Sequence, residues 1–133
     1  MAIILDADVI IRGEKATFDL ESWLGALADE QFEIAGITVA ELWHGVERAT
    51  GAQKTTRESY LRTLLEVLPI APYTEQTAYH HARIWAQLEA SGKMIGPYDL
   101  IVAATALERE SRLATFNKRH FANVKGLNVV EPK

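Results

Sequence analysis

Apolar residues fall into two kinds of pattern along this chain, and each kind predicts a different element. Ala2-Ile3-Ile4-Leu5 is a short β-branched run that stops at Asp6, the signature of a strand buried on both faces of a sheet. From Leu20 the apolar positions Leu20, Trp23, Leu24 and Leu27 recur at i, i+3, i+4 and i+7, which is a helix stripe. Residues 32–37 read as a second strand. Val39, Leu42, Trp43 and Val46 return to helical spacing, with Thr38 placed to cap that helix. The stripe is lost after Val46, so residues 47–51 read as a helix end and loop, and residues 60–66 as the next helix.

Residues 67–70 form a short candidate strand in which Pro69, lacking an N–H, favours an edge position. A long helix then carries Ala78, Ala82, Trp85 and Leu88 on one side until Ser91-Gly92 stops it. Gly96-Pro97 opens another helix, with Leu100, Ala103, Ala104 and Leu107 as its buried stripe. Residues 113–116 are the next strand, 117–121 a short turn or helix, and 127–130 the last strand. Strands alternating with helices imply an α/β fold: a parallel sheet covered by helices on both faces. Ligands of such sheets bind at the edge where the strands end, so polar residues just after strands draw attention.

At 133 residues and 14.8 kDa, with no repeat or linker, residues 1–133 read as one domain. Hydrophobic residues at 48% and charged residues at 24% exclude a disordered chain, a coiled coil and a collagen. The balance of 14 basic against 18 acidic residues gives a net charge of −4, which excludes a broadly basic nucleic-acid coat and confines any such contact to a local patch. The absence of cysteine removes disulfides, thiolate zinc sites and a thiol nucleophile, and makes the cytoplasm the default location. No segment approaches the ~20 apolar residues of a membrane span.

Four polar residues fall on the predicted ligand edge. Asp6 ends the first strand, Glu41 lies just after the second, Asp99 follows Gly96-Pro97, and Asn117 follows Phe116. Carboxylates gathered at one point repel one another unless a cation offsets them, so the set suggests a divalent metal. Oxygen ligands without thiolate favour Mg²⁺ or Mn²⁺, ions that activate water and offset charge on a phosphodiester. Each residue also has a plainer reading. Thr38 and Glu41 have the spacing of a capping box, Asp99 complements a helix dipole, and Asn117 suits an N-cap. Asp6 resists such a reading, because an acid at the end of a buried strand is costly without a partner.

The segments IILDADVII, ITVAELWHGVER, IGPYDLIVAATAL and LATFNKRHFANVKGL, in this order and spacing, resemble the PIN-domain ribonucleases, specifically the VapC toxins of toxin–antitoxin pairs. The resemblance covers essentially the whole chain. It implies a three-layer fold with a parallel five-stranded sheet, Mg²⁺-dependent endonucleolytic cleavage of RNA (tRNA or mRNA), a homodimer and a VapB-type antitoxin. By position, Asp6, Glu41 and Asp99 match the family's acidic triad and metal ligands, and Asn117 the polar residue of its T-x-N signature. Ala7 stands where Thr is usual, Asp8 where Asn or Ser is usual, and His120 where many members have a fourth acid. Asp8 and His120 are therefore candidate accessory residues of the metal site.

Lys93, Lys118 and Arg119 flank the Asp99 and Asn117 segments and are candidates to hold RNA phosphates. His44, His80 and His81 lack a metal-ligand spacing and read as surface or packing residues. Trp23, Trp43 and Trp85 fall on apolar stripes and read as core or dimer contacts. Two other functions compete. Asp6-Ala7-Asp8-Val9-Ile10 approaches the motif of phosphatases similar to the haloacid dehalogenases, although Ile10 departs from it. His120 alternatively marks a PIN-like protein that binds RNA or antitoxin with weakened catalysis. A response-regulator receiver is disfavoured, because Ile70-Ala71-Pro72-Tyr73 offers no phosphorylatable Asp.

Overall fold

The computed structural model describes residues 2–133. In chain order the elements are β1 Ala2–Leu5, α1 Ala7–Glu14, α2 Leu20–Ala26, β2 Gln31–Ala35, α3 Gly36–Arg48, α4 Gly51–Val67, β3 Ile70–Ala71, α5 Glu75–Ser91, α6 Pro97–Glu108, β4 Arg112–Ala114, α7 Lys118–Phe121 and β5 Val129–Val130. The five strands form one sheet in the order β3-β2-β1-β4-β5, and every neighbouring pair is parallel. The expected α/β architecture is present. No helix among the described residues is long and apolar enough to cross a membrane.

Because side chains alternate across a strand, β1 feeds two cores. Ile4 joins Ile84, Leu88, Leu100, Val102 and Phe121 beneath α5, α6 and α7. Ile3 and Leu5 pack on the other face with Val9, Ile10, Leu20, Trp23 and Ile34. All three β1 residues are fully buried, as expected of a central strand. From β1 the sheet extends to β2 on one side and to β4 on the other. The strand order thus switches sides at β1, and the carboxyl end of β1 is the place where parallel sheets of this kind bind ligands.

Several predicted boundaries are corrected. The second strand ends at Ala35 rather than residue 37, and α3 starts at Gly36, so Thr38 lies inside the helix and makes no cap hydrogen bond. Its hydroxyl is buried without a partner. The sequence pattern shows no helix over α1, whose eight residues bury only Val9 and Ile10. Residues 47–51 form only a short break, because α4 begins at Gly51 and runs to Val67 with Leu61 alone buried. That leaves a two-residue β3 in place of the strand expected at 67–70. On α5 the inward face is Thr77, Ile84 and Leu88, while Ala82 is exposed and Trp85 is 47% exposed, stacked on His81. Trp23 is in the core as expected, and Trp43 lies under the Arg62 guanidinium.

Gly13 is where α1, α2 and α4 meet most closely. A Cβ there would sit 2.8 Å from Leu20 Cβ and 2.9 Å from the Tyr60 hydroxyl. Leu20 Cβ is fixed to its backbone and cannot rotate away. Gly13→Ala is expected to destabilise the fold by about 1–2 kcal/mol, overpacking outweighing the up to ~1 kcal/mol of helix propensity that Ala returns. Denaturant unfolding measures this, and a stability equal to or above the parent's would refute the close approach.

Candidate active site

Asp6 follows β1 directly and caps α1, its Oδ1 accepting the Ala7 N–H at 3.0 Å. Its own N–H donates to the Ala114 carbonyl at 2.9 Å, tying it to β4. Its residue is only 7% exposed, and Oδ2 accepts the Thr115 hydroxyl at 2.8 Å. Thr115 is fully buried, and its oxygen in turn accepts the Asn117 N–H at 3.0 Å. Asp8, half a turn further on, accepts the Phe116 N–H at 3.1 Å and lies 3.3 Å from the same Thr115 hydroxyl. One hydroxyl hydrogen is thus shared between two carboxylates, with the shorter contact to Asp6.

Glu41 stands in the second turn of α3 and Asp99 in the first turn of α6, the helices that start at this edge of the sheet. Asp99 Oδ2 is 3.3 Å from His120 Nδ1, and that same nitrogen is 3.4 Å from Asn117 Nδ2. Nδ1 serves one partner at a time, donating to Asp99 when it carries hydrogen and accepting from Asn117 when bare. The capping-box reading of Thr38 and Glu41 is overturned, since Thr38 caps nothing. Asn117 occupies the N-cap position of α7 but makes no side-chain cap bond, which removes its plainer reading too.

Burial is the largest influence on the acids, and their mutual repulsion adds to it. Burial, with Asp8 and Asp99 nearby, lifts Asp6 to about 6 despite the opposing hydrogen bond from Thr115. Burial, with Asp6 and Asp99 facing it, lifts Glu41 to about 7. Asp8 is raised as well, by burial, against the hydrogen bonds it accepts and the nearby Arg12 charge. The Arg12 guanidinium lies over the Phe116 ring, 4.2 Å from its centroid. At the opposite edge of the sheet, by contrast, Arg112 pairs with Glu30 at 2.7 Å and Arg109 pairs with Glu33.

Glu41 therefore feels the charge of Asp6 and Asp99, Asp6 feels that of Asp99, and together the three offer only hard oxygen donors. That donor set, in which burial and neighbouring carboxylates oppose the ionisation of Asp6 and Glu41, fits a hard divalent cation in its chemistry. Among the described residues no three His, Asp or Glu side chains lie close enough together to hold a metal ion as they stand. Asp8 is held by the β4–α7 corner through Thr115 and Phe116. Lys93 lies in the α5–α6 connection, with Lys118 and Arg119 on α7. His44 is exposed, His80 contacts Arg83, and His81 contacts the Tyr73 hydroxyl, so the three histidines are surface or packing residues. Sequence reasoning missed the role of Thr115, which links Asp6, Asp8 and Asn117; its signal was the polar residue two before Asn117 at the end of a buried strand.

These shifts fix the sign of a pH dependence. The folded values of Asp6 and Glu41 lie above the ordinary 3.8 and 4.5, so the native state binds protons more tightly than the unfolded chain between about 4 and about 7. Their stabilising contribution is complete below that window and is lost as pH rises through it. In EDTA the melting temperature is expected to fall from pH about 5 to about 7.5, and Asp6→Asn should flatten the decline and melt higher at the upper pH. Thermal scans in EDTA check this; a parent that gains stability across the window would contradict it.

The pattern of the family described as PIN domain matches residues 3–127. The chain is 33% identical over 138 residues to VapC ribonuclease Y4jK of Sinorhizobium fredii, covering 98% of this chain and 96% of that protein. It is 28% identical over 131 residues to Ribonuclease VapC1 of Rickettsia felis, again covering 98% and 96%. The structure of VapBC2 from Rickettsia felis bound to a DNA fragment from their promoter superimposes with a TM-score of 0.92 over 100% of both chains; at 24% identity it establishes the fold. PIN-domain ribonucleases are generally dependent on a divalent metal. A family pattern spanning nearly the whole chain, and an end-to-end relative at one-third identity, establish that the chain belongs to the PIN-domain family and, within it, to the VapC ribonucleases.

Proposed function

We propose that residues 1–133 act as one PIN-like domain, the toxin of a toxin–antitoxin pair, that cuts RNA internally at the acidic edge with Mg²⁺ or Mn²⁺. The observation that carries this reading is the placement of Asp6, Glu41 and Asp99 at one edge of the sheet, after the central strand and at the starts of α3 and α6, near enough that Asp6 and Asp99 raise Glu41. Asp6, Glu41 and Asp99 would hold the ion. When bound, the ion lowers the pKa of a water and offsets charge on the phosphodiester. Thr115 and the Ala7 N–H fix one oxygen each of Asp6, and each oxygen keeps a lone pair for further use.

Asn117, set beside Asp99 through His120, offers amide hydrogens to a phosphate oxygen. Asp8 clamps the corner that carries Asn117, and in this reading contributes charge beside the ion rather than a direct ligand. A VapB-type antitoxin and a second copy of the chain are the proposed protein partners, in a cytoplasmic setting.

The purified chain is expected to cleave single-stranded or transfer RNA with Mg²⁺ or Mn²⁺ and to stop in EDTA. Products should carry 5′-phosphate and 3′-hydroxyl ends, since water rather than the RNA 2′-OH attacks. Asp99→Asn and Glu41→Gln should each lower turnover by more than the roughly 100-fold that losing an outer-shell partner of a metal costs, and should relieve growth arrest on expression. Cleavage undiminished in EDTA, or cyclic 2′,3′-phosphate ends, would sink the metal-dependent reading.

A further inference from the structure

A second cleft adjoins the acidic edge. It has a volume of about 380 Å³ and lies between the α5–α6 connection and α7, lined by Lys93, Met94, Gly96, Arg119, His120 and Asn123. That volume falls within the few hundred Å³ of a small-ligand site. We propose that this cleft seats a backbone phosphate of the RNA strand next to the linkage being cut, held by Lys93 and Arg119. The inference rests on the ribonuclease reading of the acidic edge and adds a substrate subsite to it.

The charge of this cleft suits an anion, and its place beside the acids distinguishes it from the other carboxylate-free depression nearby. The chain carries a net −4, yet no carboxylate lines it. Neither Lys93 nor Arg119 has an ion-pair partner among the described residues, as is also true of several other surface cations, so both charges are available to a ligand. Two unpaired cations facing one concavity that no carboxylate lines suit a polyanion.

Position points the same way. His120 lines the cleft and also stands 3.3 Å from Asp99, so an occupant lies directly beside the acids. A carboxylate at residue 120 would put negative charge on the shared wall and repel a phosphate; an imidazole does not. Lys118 does not line the cleft but a neighbouring depression with Leu127 and Val129, and Arg119 stands between the two and lines both.

The walls are also braced before any ligand arrives. Gly92 adopts a left-handed φ of 67°, and the following Lys93 N–H closes the end of α5 by donating to the Leu88 carbonyl at 2.9 Å. Gln87 Nε2 donates to the Asn123 carbonyl at 3.0 Å, tying α5 to the far wall. Met94, 47% exposed, offers an apolar surface to the attached ribose or base.

The test uses a fluorescein-labelled single-stranded RNA decamer of mixed sequence, with anisotropy read in Ca²⁺, an oxygen-liganded ion that offsets the carboxylate charge. Binding is measured across a series of KCl concentrations. On a single strand, each phosphate neutralised steepens the dependence of log K on log salt by about 0.7, so losing the one phosphate held by Lys93 and Arg119 should make the slope of Lys93→Ala/Arg119→Ala shallower by about 0.7. Lys54→Ala/Arg62→Ala removes the same formal charge from α4 and should keep the parent's slope. A parent-like slope in the first double variant, or an equal drop in both, overturns the subsite while leaving the ribonuclease reading intact. A parent chain that neither binds the decamer nor cuts RNA in Mg²⁺ overturns both.

Discussion

A carboxylate at the end of a strand buried on both faces is the constraint around which this molecule is organised. Ionising Asp6 there is opposed by desolvation, and the chain supplies only two hydrogen bonds, from Thr115 and the Ala7 N–H, to offset it. The sheet then worsens the problem. Because β2 and β4 flank β1, the helices that start beyond it bring Glu41 and Asp99 to the same edge. Three acids that repel one another in a poorly solvated cleft are a destabilising arrangement, tolerated because Ile3, Ile4 and Leu5 are fully buried between two apolar cores. Function is written in the part of the structure that folding alone would remove.

Charge is sorted in space in a way the net −4 conceals. At the edge where the strands begin, Arg109 and Arg112 are matched to Glu33 and Glu30. At the opposite edge the acids face one another, and Arg12 reaches only Asp8. Just outside, Lys93 and Arg119 stand free around a cleft without carboxylates. In the proposed function the acids would draw a divalent cation and the cleft beside them a backbone phosphate, two halves of one electrostatic design.

The elements legible in the sequence were those whose burial is periodic and complete. β1 and β4 read as apolar runs, and α6 as a stripe of Leu100, Ala103, Ala104 and Leu107 bounded by Gly96-Pro97. α1 and α4 escaped because they bury too little: two residues on the first and Leu61 alone on the second. Trp85 misled for the opposite reason, an apolar side chain at helical spacing that stacks on His81 at the surface. Asp6, Glu41 and Asn117 were legible because they come soon after strands, and Asp99 because it opens a helix after Gly96-Pro97. What the sequence left hidden was the link between them, since a threonine hydroxyl within reach of two carboxylates is a relation between residues more than 100 apart in the chain.

Burial and mutual repulsion push Asp6 and Glu41 upward, and a divalent ion at the acidic edge would relieve both. Carboxyl-carbon NMR titration of the full chain, with and without Mg²⁺, tests this most directly. Without metal the midpoints should lie near 6 for Asp6 and near 7 for Glu41, and Mg²⁺ should drive both down to or below ordinary carboxylate values. Ordinary midpoints in the metal-free chain, unmoved by Mg²⁺, would contradict it.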